Sequence, residues 1–310
     1  MHFTRPDDSY PTSPPGFPWR RYVAVGDSFT EGLWDVPDGT PPARTESSDP
    51  ALACRGWADL LALHLTDRSA THSTGTGTGA GTGHGGGAGN GDGDGTVTGM
   101  AYANLAIRGR LLGAILSEQV PEALAMAPDL VSVVGGGNDM LRPTADPDRL
   151  AADLEEAVVT LRAAGADVLL ATGMDAKDSP VVRRTRPRVA VLNSHIWSIA
   201  RRHDVHVLDV WGMRSLRDWR MWAPDRIHLT TEGHRRVAQG ALVALGLDPD
   251  DAAWDDPLTP LPPLPRTDQL RVDAAWVRAH VYPWATRRMR GRSSGDERRP
   301  KRPILEPVER

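Results

Sequence analysis

Residues able to run a nucleophilic hydrolysis stand at the ends of apolar runs in this chain. Ser28 follows the run Arg21 to Val25 by way of Gly26-Asp27, and Gly109 follows Met100 to Ile107. Asn138 follows Asp129 to Val134 by way of three glycines, and Asp225-Arg226-Ile227-His228 stands just before the last helical pattern. A serine hydroxyl is a weak nucleophile near neutral pH and needs a base within reach. His228 is the residue type whose pKa suits that task. Asp225, three residues earlier, can accept a hydrogen bond from the other imidazole nitrogen, fix the tautomer and stabilise the imidazolium. Singly, each has a plainer use: Ser28 as a helix N-cap, Asn138 as a turn residue, His228 as a surface or core histidine, Asp225 as loop charge. It is as a set, at the ends of strands, that they point to chemistry.

For these residues to meet, strand and helix must alternate. Arg21–Val25, Met100–Ile107, Asp129–Val134, Asp167–Ala171 and Val205–Val210 read as buried strands. Between them, Leu52, Trp57, Leu60, Leu61 and Leu65 recur at helical spacing over Ala51 to Leu65, and Leu150, Leu154, Val158 and Leu161 over Pro147 to Ala164. Further helical patterns cover Leu111 to Val120, Arg188 to Arg202 and Thr231 to Leu245. The alternation predicts an α/β protein, a three-layer α/β/α sandwich around a five-stranded parallel sheet. In such a sheet the carboxyl ends of all strands open on one edge, which is where Ser28, Gly109 and Asn138 stand. Residues 1–18 read as a flexible arm and 19–247 as the catalytic domain. A Gly/Thr-rich tract at about 66–98 reads as a disordered insertion, and 248–310 as a Pro-rich, basic and partly disordered extension.

In chain order, Gly26-Asp27-Ser28, Gly109, Gly136-Gly137-Asn138-Asp139 and Asp225-Arg226-Ile227-His228 resemble the four sequence blocks of the GDSL esterase/lipase family, also called SGNH hydrolases. The resemblance spans roughly residues 19–246, with Phe29 where leucine is usual. It implies a flavodoxin-like SGNH hydrolase fold and a serine esterase that cleaves carboxylic esters through an acyl-serine. The catalytic residues would be Ser28, Asp225 and His228. The oxyanion donors would be the backbone N–H groups of Ser28 and Gly109 and the side-chain amide of Asn138. Asp27 and Asp139 read as structural supports. Members of the family act on lysophospholipids, thioesters, acetylated sugars and simple esters, so the implied partner is a small-molecule or lipid ester. The selecting loops would include Leu33-Trp34-Asp35-Val36, Leu141-Arg142-Pro143 and Lys177 to Arg186. No cofactor and no metal is expected.

Composition limits the remaining classes. A net charge of −4 over 310 residues gives no whole-protein attraction to nucleic acid, and no specific nucleic-acid partner is expected. Cys54 is the only cysteine, so no intramolecular disulfide forms. The first residues lack the pattern of a secretory signal, and a cytoplasmic monomer is expected. Arg287, Arg288, Arg290, Arg292, Arg298, Arg299, Lys301 and Arg302 form a basic tail, with Trp276 and Trp284 upstream. This suggests weak contact with anionic membranes. It also supports a rival function, an SGNH-fold protein of little or no activity whose tail binds anionic membrane or nucleic acid. His203 and His206 lack a third ligand for zinc, and His234 is read as solvent-facing. Thr30 stands where a Gly-x-Ser-x-Gly elbow needs glycine, which excludes that motif.

Overall fold

Side-chain alternation along the central strand decides the layers. In β1 (Arg21–Gly26), Tyr22 and Ala24 enter one core and Val23 and Val25 the other, all four fully buried. The computed structural model describes residues 18–36, 54–74, 100–177, 179, 182–283, 286, 293–296 and 298–308. The expected N-terminal arm, apart from residue 18, and residues 75–98 of the glycine-rich tract lie outside them.

Strands β2 (Ala101–Asn104), β3 (Leu130–Val134), β4 (Asp167–Ala171) and β5 (His206–Leu208) run parallel with β1. Among the described residues the sheet has six strands rather than the expected five, because β6 (Arg302–Pro307) adds antiparallel to β2, giving the order β5-β4-β3-β1-β2-β6. Without its antiparallel strand this is the flavodoxin-like order, with the reversal between β1 and β3 where ligands of open α/β sheets bind.

Helix α1 (Ser28–Glu31) follows β1 directly, and α2 (Trp57–Thr74) leads to β2. A helical run then passes through α3 (Leu112–Ala114), a π turn (Ile115–Gln119) and α4 (Val120–Ala125). After β3 come α5 (Gly137–Met140) and α6 (Pro147–Ala163), then α7 (Arg186–His203) before β5 and α8 (Thr231–Ala244) after it. Last is α9 (Arg266–Trp276), which runs into a π turn (Val277–Val281). One face of the sheet is covered by Trp57, Leu61 and Leu65 of α2 with Val237, Ala241 and Leu242 of α8. The other is covered by the α3–α4 run with α6 and α7. Among the described residues no helix is long and apolar enough to cross a membrane.

Three expectations need correction. Helix α2 starts at Trp57 and continues through residues 66–74, which composition assigns to a disordered insertion. Buried Thr66 and Ser69 turn their hydroxyls back onto the carbonyls of Ala62 and Thr66 at 2.8 Å each, and Arg68 is pinned to the Asp248 carbonyl at 2.6 Å. Second, within the arginine-rich end from residue 287 to 310, which reads as disordered, residues 298–308 are ordered where they meet the sheet. Lys301 donates to the carbonyls of Glu31, Cys54 and Arg55 at 2.6–2.7 Å and to Asp59 Oδ2 at 2.6 Å, and Arg302 lies 5.4 Å over the Tyr102 ring. Trp276 is buried rather than set for a membrane surface. Arg287, Arg288, Arg290, Arg292 and Trp284 lie outside the described residues.

Third, His234 faces the core and is 1% exposed, because it shares the inner face of α8 with Val237, Ala238 and Ala241. Its Nδ1 accepts the Trp57 N–H at 3.2 Å, which leaves Nε2–H to donate to the Leu33 carbonyl at 3.4 Å. Burial drives this imidazole down from 6.5 to about 4. Its folded pKa is therefore below its unfolded one, so the unfolded chain binds the extra proton and stability falls as pH drops from about 6.5 toward 4. In denaturant titrations, the stability advantage of the protein over His234→Asn is expected to shrink by roughly 2 kcal/mol between pH 7.5 and 4.5. A constant difference would contradict a neutral buried imidazole.

Candidate active site

Ser28 owes its position to Gly26 and to a side chain from a distant helix. Gln119, brought inward by the π turn, accepts the Gly26 N–H at 2.7 Å and donates to the Gly26 carbonyl at 3.0 Å. A Cβ on Gly26 would collide with the Val134 carbonyl and the Thr30 side chain. The N-cap of α1 is Asp27 and not Ser28, since Asp27 Oδ1 accepts the Phe29 N–H at 3.1 Å. Ser28 is thus the first helical residue, its hydroxyl available to another partner.

That partner is His228, whose Nε2 lies 2.8 Å from Ser28 Oγ, while its Nδ1 lies 2.6 Å from Asp225 Oδ2. Asp225 Oδ1 accepts the N–H groups of Ile227 and His228 at 3.0 Å each, which closes the loop into a tight turn. Arg226 adopts the left-handed region inside it, with φ 59°. Asp225 Oδ2 also accepts Trp34 Nε1–H at 2.7 Å. Burial would raise the Asp225 carboxyl, but the facing imidazole and these hydrogen bonds hold it well below the usual range. Burial likewise pulls His228 down, yet Asp225 outweighs it and leaves the imidazole above its ordinary value.

Gly109 and Asn138 are tied to the same centre. Gly109 has φ 75°, open to glycine at little cost. The preceding Arg108 is fixed by Glu31, one turn after Ser28: its backbone N–H donates to Oε2 at 2.7 Å and its Nε to Oε1 at 2.8 Å, with a further bond from Nη2. This buried pair locks α1 to the Gly109 loop, and removing one partner would strand the other charge. Asn138 Nδ2 donates to Asp27 Oδ2 and to the Arg110 carbonyl, both at 3.0 Å. Asp139 Oδ2 accepts the Leu112 N–H at 2.9 Å. Burial, with Asp139 and Glu31 nearby, raises the Asp27 carboxyl to about 6 despite the Phe29 and His228 contacts.

Ser28, Gly109, Asn138, Asp225 and His228 all line one cavity of about 550 Å³. The loops expected to select substrate contribute Leu33, Trp34, Leu141, Arg142, Val182 and Thr185. Sequence reasoning missed Gln119, Glu31 and Arg108; Glu31 and Arg108 stand close to the motif residues Ser28 and Gly109, and Gln119 carried no local signal. It also missed a whole wall of the cavity, built by His280, Pro283, Ser293, Ser294, Asp296 and Arg298 of the extension.

A sequence profile of the GDSL-like lipase/acylhydrolase family matches residues 73–236, more than half of the chain. The chain belongs to the GDSL-like lipase/acylhydrolase family. The match takes in Gly109, Asn138, Asp225 and His228 and begins after Ser28, whose place at the centre rests on the contacts above. As a member of this family the protein is a hydrolase acting on esters. Among curated proteins none matches the sequence. Of solved structures, LAE5, an alpha/beta hydrolase enzyme from the metagenome of Lake Arreo, Spain, is 21% identical with a TM-score of 0.52, covering 73% of this chain and 95% of its own. Axe2, an acetylxylan esterase from Geobacillus stearothermophilus, is 18% identical with a TM-score of 0.50, covering 74% and 95%. At these identities the likeness shows a shared fold.

Proposed function

We propose that this family member hydrolyses carboxylic esters through an acyl-Ser28 intermediate. The observation that carries the reading is the unbroken chain from Ser28 Oγ through His228 to Asp225, with contacts of 2.8 and 2.6 Å. His228 Nε2 takes the Ser28 proton as Oγ adds to the ester carbonyl, and the carbonyl oxygen becomes an oxyanion. Collapse breaks the bond to the alcohol oxygen, which leaves with the proton from His228. Water then gives a proton to His228 and adds to the acyl carbon. The second collapse releases the acid and returns the proton to Ser28 Oγ.

Donors for the oxyanion would be the N–H groups of Ser28 and Gly109 and the Asn138 amide. Since that amide already serves Asp27 and Arg110, it must share an N–H with the oxyanion, which makes it the weakest of the three. The arm of the cavity bounded by Met140, Leu141, Met174, Val182, Val189 and Val210 suits an apolar acyl chain. A fluorophosphonate probe is expected to label Ser28 and to leave Ser28→Ala unlabelled. Only neutral imidazole can act as base, and His228 is raised above 6.5, so the labelling rate should climb with pH through a value above 6.5. A flat pH profile, or label on another residue, would count against the assignment.

A further inference from the structure

We propose that the turn Ser293–Asp296, with His280, is the specificity-determining wall for the alcohol side of the ester and favours a hydroxyl-bearing leaving group. The proposal deepens the acyl-Ser28 reading and rests on it. The cavity extends to both sides of Ser28 along the carboxyl edge of the sheet. Over β4 and β5 it is mainly apolar, with Met174, Val189 and Val210 beside the hydroxyl-bearing Thr172 and Thr185. Beside Gly109, after β2, its lining is Arg108, Ser293, Ser294, Asp296 and Arg298. The departing oxygen must lie at His228 Nε2 to take its proton, and the alcohol portion then extends away from the apolar arm. His280 and Pro283 line the cavity as the chain continues from α9, whose Trp276 Nε1–H donates to the Asp225 carbonyl at 3.0 Å.

The wall is held in place from several directions. Ser293 Oγ donates to the Gly109 carbonyl at 3.3 Å, and a Cβ on Gly109 would collide with that hydroxyl. Gly295 packs against the Arg108 carbonyl so closely that a side chain there would collide with it. Asp296 Oδ2 accepts the Ser293 N–H at 2.8 Å, and Lys301 and β6 anchor the segment a few residues on. Behind the wall Arg298 Nη1 lies 3.9 Å from Glu31 Oε1, so both cavity-lining arginines, Arg108 and Arg298, face the Glu31 carboxylate. A polyol meets the hydrogen-bonding oxygens of Ser293, Ser294 and Asp296 there. An alkyl alcohol has no hydroxyl to offer those partly exposed oxygens and forgoes the hydrogen bonds that a hydroxylated leaving group gains there.

The test compares esters of one acid, glyceryl monobutyrate and butyryl methyl glucoside against n-butyl butyrate, in the full-length protein and in Asp296→Leu and Ser294→Val. Both residues are exposed; since Asp296 also holds the Ser293 N–H, Ser294→Val is the variant that removes an oxygen without loosening the turn. The protein is expected to favour a hydroxylated ester by about tenfold or more in kcat/KM, and each variant should bring that ratio toward one, mainly through KM. Fluorophosphonate labelling of Ser28 in the same samples separates the two readings. Labelled protein with no preference, or with a preference that both variants keep within about twofold, overturns the alcohol wall alone. Absence of label in the unaltered protein overturns the acyl-Ser28 reading and the wall with it.

Discussion

Replacing His228 with alanine should lower kcat on a nitrophenyl ester by on the order of 10⁶-fold while KM changes little. The magnitude follows from the imidazole's double duty. In the proposed mechanism it removes the proton from Ser28 Oγ, 2.8 Å away, and later protonates the alcohol that leaves. Without it Ser28 is an ordinary hydroxyl, and what persists comes from bound geometry and the oxyanion donors. The side chain is half-buried and lines the cavity, so truncation opens space that free imidazole can enter. Partial rescue by millimolar imidazole is the companion result. A loss smaller than about tenfold would mean that another group serves as base.

The second large effect is expected at Asp225. One carboxylate here receives four N–H donors: Ile227 and His228 backbone groups on Oδ1, and the Trp34 indole and His228 Nδ1 on Oδ2. Asparagine offers one acceptor oxygen. In either amide orientation its NH₂ group confronts two donors. If the NH₂ faces His228 Nδ1, the imidazole proton moves to Nε2, where it points at Ser28 and cannot accept a proton. Asp225→Asn should therefore cost about 10⁴-fold in kcat. Thermal melting should fall as well, by an amount corresponding to about 1–3 kcal/mol, because the turn loses hydrogen bonds that close it. A variant that melts lower yet retains its turnover would make Asp225 a loop support alone.

Much of this arrangement could be read from residue types because the parallel core writes itself plainly. Runs such as Leu130-Val131-Ser132-Val133-Val134 are apolar on both faces, and their carboxyl ends identify the edge where small and polar groups collect. The Asp225-x-x-His228 spacing likewise fits a tight turn whose two side chains meet. Long-range partners left no such trace. Glu31, Arg108 and Gln119 look like ordinary charged or polar helix and loop residues until tertiary packing makes them neighbours. His234 sits between Glu232 and two arginines, so its local composition suggests solvent while the helix face it occupies points inward. The last strand, Arg302-Pro303-Ile304-Leu305-Glu306-Pro307, is bracketed by prolines in a basic stretch. Its order comes from the unpaired edge of β2, which no local pattern can reveal.

That edge pairing has a kinetic side. Lys301 meets Asp59 across 242 positions of sequence, and β6 follows every other strand of the sheet in the chain. During synthesis β1 to β5 can assemble while β2 still presents a bare row of backbone donors and acceptors, a template for pairing with another chain. The Gly109 loop in that intermediate lacks the Ser293 hydroxyl that rests on it in the finished fold. Closure of this long loop is a late and entropically slow step. Hydrolytic competence should thus emerge after the bulk of secondary structure, and the interval before it is when the nascent protein is most exposed to edge-to-edge aggregation.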